Sequence, residues 1–297
     1  MKRLFKLGLA AACVLAGLAI SGCNGARDTA LDMLYKNGDK GFMIKEITRG
    51  TRTRKYGLFV PLSYSATSTT KVPCIVFLHG LGEGGNDSHA NLRVGMAPFV
   101  ADQASTFNFI VIFPQSDNGH WDPDGENATD AIAELDAVAK MYPNLDLDRV
   151  SLTGLSTGGY GTWAIGAKYK DRFAALVPMG SSGSDFDDVP NLVNMPIRSY
   201  HNNGDPFAAQ WNDTVMVEKI QANGGHAEMF KTDGPGHDCW EIAYGQTDLF
   251  VWLAQQRRRP TASPKSAAAP TSNVPVAAAG ASATIRTNVA ASVNTNY

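Results

Sequence analysis

Short apolar runs recur through the middle of the chain: YGLFVP (56–61), CIVFLH (74–79), FIVIFP (109–114), RVSLTG (149–154), FAALVPMG (173–180), PIRSYHNN (196–203) and HAEMFKT (226–232). Several are bounded by Gly, Pro or Asn, and apolar runs of this length read as strands buried on both faces. Between them the apolar positions take helical spacing, over 96–104, 128–141, 160–168, 210–223 and 247–256. Strand and helix in alternation predict a mostly parallel sheet with helices on both faces. No repeat or Gly-rich linker divides this region, so the pattern predicts one α/β domain over 51–258. GFMIKEIT (41–48) is expected to add an antiparallel edge strand against TRKYGLFVP (53–61).

The two ends break the pattern. Lys2, Arg3 and Lys6 precede LGLAAACVLAGLAISGC (7–23), which has the charged, apolar and small-residue zones of an export signal. It is short for a transmembrane span. Ile20-Ser21-Gly22-Cys23 resembles the bacterial lipobox. The expectation is a signal peptide over 1–22, a lipidated Cys23 and a globular part held outside the cytoplasm on the cell envelope. Two or more acyl chains suffice for such anchoring. A plain secretory signal with an incidental cysteine is the competing reading. Residues 23–50 form a lead into the domain. From 259 to 297 the chain is rich in Ala, Ser, Thr, Pro and Asn, with no aromatic residue before Tyr297. That composition predicts a disordered tail without a catalytic part.

Composition narrows the function classes. Hydrophobic residues make up 44% of the 297 and charged residues 18%, enough to bury a core. A net charge of −2 without a long basic run offers no footprint for nucleic acid. With Cys13 in the signal and Cys23 lipidated, Cys74 and Cys239 remain for a bridge, which an oxidising compartment permits. Cys74 opens a strand, however, and Cys239 adjoins a loop placed at that strand's far end. At ~3.3 Å per residue the gap exceeds disulfide reach, so both are expected as buried free thiols. HExxH and HxxEH spacings are absent, so no metal site is expected, and no phosphate-binding loop is seen.

The candidate chemistry lies in Gly154-Leu155-Ser156-Thr157-Gly158, where a strand runs into a helix. A serine is a useful nucleophile only when it stands clear of the backbone and an imidazole takes its proton. A strained strand-to-helix turn with glycines on both sides provides the first condition. Alone, the pattern can arise by chance in a chain with 29 glycines. A second pattern supports it: His79-Gly80-Leu81-Gly82 directly follows an earlier strand, where an oxyanion hole would form. The backbone N–H groups of Leu81 and Thr157 are the expected donors.

His237, in the Gly/Pro-rich loop DGPGHDCW after the last strand, is the expected base. His79 is read as a prop for the oxyanion turn. His89 and His120 lie in long loops, His201 ends a strand and His226 begins one, all read as surface or packing. The acid that orients the imidazolium should follow a late strand and fall between serine and histidine, which selects Asp205 in IRSYHNNGDPF. Its rivals are Asp185, Asp187 and Asp188 in a polar loop and Asp213 at a helix start. Trp121 has two readings, an aromatic wall of the substrate cleft or a partly buried loop residue. Glu83 either rigidifies the GLGEGG turn or is solvated. Tyr160 and Trp163 read as core contacts, and Trp240 as packing beside the histidine loop.

Together these residues resemble the α/β-hydrolase superfamily, in particular its esterase and predicted-peptidase branch. They are similar to feruloyl and acetylxylan carbohydrate esterases and polyhydroxybutyrate depolymerases. The resemblance spans about 56–257 and is most specific over 148–175, DRVSLTGLSTGGYGTWAIGAKYKDRFAA. It departs at Asn202, usually glycine after the strand histidine, and at Cys239, often serine. The resemblance implies cofactor-free hydrolysis of a carboxylic ester through an acyl-enzyme, on an ester substrate that can be polysaccharide-linked. A serine peptidase of the same fold and a non-catalytic, lipid-anchored binding module are the alternatives.

Overall fold

The computed structural model of the protein describes residues 29–208 and 210–258. The expected signal with Cys23 and the expected tail over 259–297 lie outside the described residues. In chain order the strands are β1 (Gly41–Arg49), β2 (Arg52–Val60), β3 (Val72–Leu78), β4 (Ile110–Phe113), β5 (Leu145–Leu155), β6 (Ala175–Met179), β7 (Ile197–Asn202) and β8 (Ala227–Thr232). The helices are α1 (Thr29–Asp32), α2 (Met96–Asp102), α3 (Glu126–Met141), α4 (Thr157–Lys168), α5 (Val189–Leu192), α6 (Gln210–Ala222), α7 (Cys239–Gly245) and α8 (Thr247–Gln255).

All eight strands join one sheet in the order β1-β2-β4-β3-β5-β6-β7-β8. β2 runs antiparallel to both β1 and β4, and the pairs from β4 through β3 to β8 are parallel. The strand at 41–48 is present, with Gly41 opposite Val60 and Arg49 opposite Arg52. The folded unit therefore starts ahead of residue 51: Ala30 of α1 is also fully buried.

Alternation along the strands divides the core into two layers. Cys74, Val76 and Leu78 of β3 and Ile110 and Ile112 of β4 face a cluster that includes Leu135 of α3, Trp163 of α4 and Ile220 of α6. Ile75, Phe77, Val111 and Phe113 face the opposite cluster, with Met96 and Val100 of α2, Tyr244 of α7 and Leu249 of α8. Burial on both faces explains why these strands read as unbroken apolar runs. Helix α7 has no counterpart in the sequence reading, because it is short and starts inside the loop marked by Gly234, Pro235 and Gly236. Cys74 and Cys239 are buried free thiols, and burial pushes both thiol pKa values up.

Strand order reverses about β3, which lies between β4 and β5 although it precedes both in the chain. Such a reversal opens a crevice at the carboxyl ends of the strands, where ligands bind in open α/β sheets. The expected triad and oxyanion residues follow the ends of β3, β5, β7 and β8.

Candidate active site

β5 ends at Leu155 and the chain enters α4 within one residue. Ser156 makes this turn with φ 56° and ψ −119°, a region that a non-glycine residue keeps only when its surroundings hold it there. Its N–H donates to Met179 O on β6 at 2.9 Å, and its carbonyl accepts from Tyr160 N–H at 3.1 Å. Gly154 and Gly158 permit the turn by close approach. A Cβ on Gly154 would strike the Gly158 carbonyl, and one on Gly158 would strike the carbonyls of Leu78 and His79. Ser156 itself remains partly exposed.

Gly80 brings the end of β3 against the serine: a Cβ there would lie 3.4 Å from Ser156 Cβ. Leu81 opens a short 3₁₀ turn immediately afterwards. Thr157 is the first residue of α4, among the four whose N–H groups have no acceptor inside the helix. Its hydroxyl donates to Gly119 O at 2.7 Å.

His79 is fully buried beneath this turn. Ser116 N–H donates to its Nε2 at 2.9 Å, so Nδ1 carries the proton and donates to Gly80 O at 2.6 Å. Burial lowers its pKa to about 4, which keeps the ring a neutral prop. Trp121 is corrected from cleft wall to buried support. It is 1% exposed, donates its indole N–H to His79 O at 2.9 Å and meets the His79 ring edge-on at 5.1 Å. Glu83 folds back over the turn, with Oε2 4.0 Å from His79 Nδ1, and burial raises its pKa.

Asp205 sits in the loop after β7, its side chain 1% exposed. Oδ1 accepts from the N–H groups of Phe207 at 2.8 Å and Ala208 at 3.1 Å. Oδ2 lies 2.6 Å from His237 Nδ1. Burial alone would raise the Asp205 pKa, but His201, His237 and the Phe207 amide outweigh it and hold the carboxyl well below the usual range. With Asp205 ionised, His237 Nδ1 must be the donor, which leaves Nε2 as the basic nitrogen. The His237 ring passes close to Gly180: its Cε1 would be 3.4 Å from a Cβ there. Gly180 directly follows Met179, whose carbonyl holds Ser156.

Phe207, 58% exposed, and Trp240 meet the His237 ring at 5.7 and 5.2 Å. Phe207 is not among the expected site residues; its position two residues after the expected acid is the signal that the sequence offers for it. Tyr160 is also corrected. It is 41% exposed because it shares the outward side of the first turn of α4, whereas Trp163 is fully buried. Asn202 replaces the usual glycine with a tie, its Nδ2 donating to Gly236 O of the histidine loop at 2.9 Å.

His201 and Asp213 are more than packing. His201 is fully buried, with Nδ1 2.9 Å from Asp213 Oδ2 and Nε2 3.3 Å from Asp205 Oδ2. Asp213 Oδ1 accepts from Ser181 Oγ at 2.6 Å, Trp163 Nε1 at 2.8 Å and Gly183 N at 2.9 Å. Asp185 instead caps a local turn by accepting from Asp187 N–H at 3.1 Å. His89, His120 and His226 are exposed.

The reversed strand order, the elbow at Ser156 and the late acid and histidine loops together define the α/β-hydrolase fold, and the chain has that fold. No family model matches the chain. A solved thermostable esterase is similar at 26% identity and a TM-score of 0.64, over 73% of this chain and 63% of its own. A ferulic acid esterase shares the fold at 19% identity and a TM-score of 0.55, over 71% of this chain and 96% of its own. So does the acylaminoacyl peptidase of Pyrococcus horikoshii, at 14% identity and a TM-score of 0.55, over 75% and 43%. A bifunctional acetylxylan esterase/xylanase of Neocallimastix patriciarum is 28% identical over 109 residues, 36% of this chain and 15% of that protein. This chain thus spans less than two thirds of the acetylxylan esterase/xylanase and of the thermostable esterase.

Proposed function

We propose that this protein is a serine carboxylic-ester hydrolase acting on acyl esters of carbohydrate or similar extracellular esters. The observation that carries the reading is Ser156 held at φ 56° at the end of β5, with a partly exposed His237 anchored to the buried Asp205 at 2.6 Å nearby. The esterases among its relatives support the same reaction class.

In this reading Ser156 Oγ attacks the ester carbonyl as His237 Nε2 takes its proton. The N–H groups of Leu81 and Thr157 receive the charge that develops on the carbonyl oxygen. His237 then protonates the departing alcohol, and afterwards activates the water that releases the acid from Ser156. Asp205 holds the tautomer through both halves. The neutral His79 keeps the oxyanion turn in place. In the same proposal the chain is exported and lipid-anchored through Cys23, so the site works at the cell envelope.

The test is hydrolysis of short- and medium-chain p-nitrophenyl esters, methyl ferulate and acetylated xylan by protein starting after Cys23, beside Ser156→Ala. The expected result is ester cleavage that falls by about 10⁴-fold or more in the variant. Equal rates in both proteins would remove Ser156 as nucleophile. Cleavage of peptide amides in place of esters would favour the peptidase alternative.

A further inference from the structure

The triad as proposed leaves one buried group of titratable side chains unused. His201 lies at the end of β7, between the Asp205 loop and the first turn of α6, with a carboxylate on each side. The roles of its nitrogens follow from its partners. The Trp163 indole and Gly183 N–H can only donate, so Asp213 Oδ1 is an acceptor. The other oxygen takes the Nδ1 proton of His201 at 2.9 Å. His201 Nε2 then faces Asp205 Oδ2 at 3.3 Å, the same oxygen that binds His237 Nδ1 at 2.6 Å. The contact on the His201 side is an ion pair rather than a directed hydrogen bond.

We propose that His201, held by Asp213, is a positioning residue for the hydrolysis: as a buried cation it fixes the Asp205 carboxylate so that Oδ2 stays aligned on His237. This rests on the serine-hydrolase reading and adds a residue pair to it. Asp205 stands in a loop, and among the described residues its Oδ1 accepts from the amides of Phe207 and Ala208 in that loop. The contact from β7 ties Oδ2 to the sheet, and through Asp213, Ser181 and Trp163 to α6, the loop after β6 and α4. A carboxylate tied only within its own loop could turn away from His237. One also held by the sheet cannot do so without breaking an ion pair in a buried site, where such contacts are strong.

The groups that face His201 are Asp205 and Asp213, with His237 across the shared carboxylate oxygen; the same two carboxylates also act on the buried Cys239 thiol, whose pKa burial raises. Burial alone would lower the His201 pKa, but Asp205 and Asp213 outweigh it and raise it to about 9. The imidazole is therefore charged at neutral pH. Above that value Nε2 loses its proton and turns a lone pair toward Asp205, and the alignment is lost.

The experiment measures kcat and KM against pH for p-nitrophenyl acetate with the full chain, its His201→Gln and Asp213→Asn variants, and Ser156→Ala as the reference for the serine reading. The expected wild-type profile declines through about pH 9. His201→Gln should lose roughly tenfold or more in kcat, with KM within about twofold and without that decline. In Asp213→Asn the decline should move to lower pH, because one of the two carboxylates that raise the His201 pKa is gone. A His201→Gln/Asp213→Asn double variant, checked by thermal unfolding, serves if the single variants do not fold. Wild-type kcat with an unchanged alkaline decline in His201→Gln would overturn the proposal, as would a kcat loss with that decline unmoved. Activity remaining in Ser156→Ala would instead overturn the serine reading on which it rests.

Discussion

Residue by residue, the site depends on backbone held in unusual places and on side chains whose tautomers are fixed by neighbours. Ser156 was legible because its signal is local: the glycines that its turn needs are two residues away on either side. His237 and Asp205 were legible by chain order and loop position. His201 was not, because its role depends on Asp213, whose approach requires β7 and α6 to be packed together. Trp121 kept two readings for a similar reason. Its loop looks open in sequence, but the indole is drawn down onto His79 O. Trp121→Phe keeps the ring and removes the donor, leaving a buried carbonyl without that bond. The expected loss is about 1–3 kcal/mol of unfolding free energy, measured by urea denaturation. An unchanged denaturation midpoint would show that the bond contributes nothing net.

Elements were read better than their edges. The strand runs and the longer helices follow from apolar spacing, whereas α7 and the full length of β5 do not, since β5 begins with the mixed stretch Leu145-Asp146-Leu147-Asp148-Arg149. The β1–β2 hairpin is bound to α3 by charge: Arg49 Nε and Arg52 Nε reach the two oxygens of Asp130 at 2.7 and 2.6 Å. Farther along α3, Glu134 is 1% exposed and its Oε2 has no hydrogen-bond partner among the described residues. Burial raises its pKa well above the ordinary value, with Asp130 adding to the effect. A carboxyl shifted in this direction penalises the native state once pH rises above its unfolded pKa, near 4.3 in model peptides. Glu134→Gln should therefore raise Tm at pH 8 and leave it nearly unchanged at pH 4. A lower Tm at pH 8 would mean that the ionised carboxylate is favourably paired.

For the whole molecule, the alternation of strand and helix is enough for the α/β class, but not for the order of the strands in the sheet. Which strands neighbour each other is a non-local property: β3 pairs with both β4 and β5, and nothing in its seven residues says so. That order is what gathers the site. It brings Gly80 after β3, Ser156 after β5 and Gly180 after β6 together, with the Asp205 and His237 loops closing from the β7 and β8 side. The most direct test of this arrangement is covalent labelling with a fluorophosphonate, which phosphonylates a serine, with loss of fluoride, only when a base activates the hydroxyl. Peptide mapping of the labelled protein should find one modified residue, Ser156, and the label should disappear in His237→Ala. Label on another serine, or ester hydrolysis that persists with Ser156 unlabelled, would contradict the account.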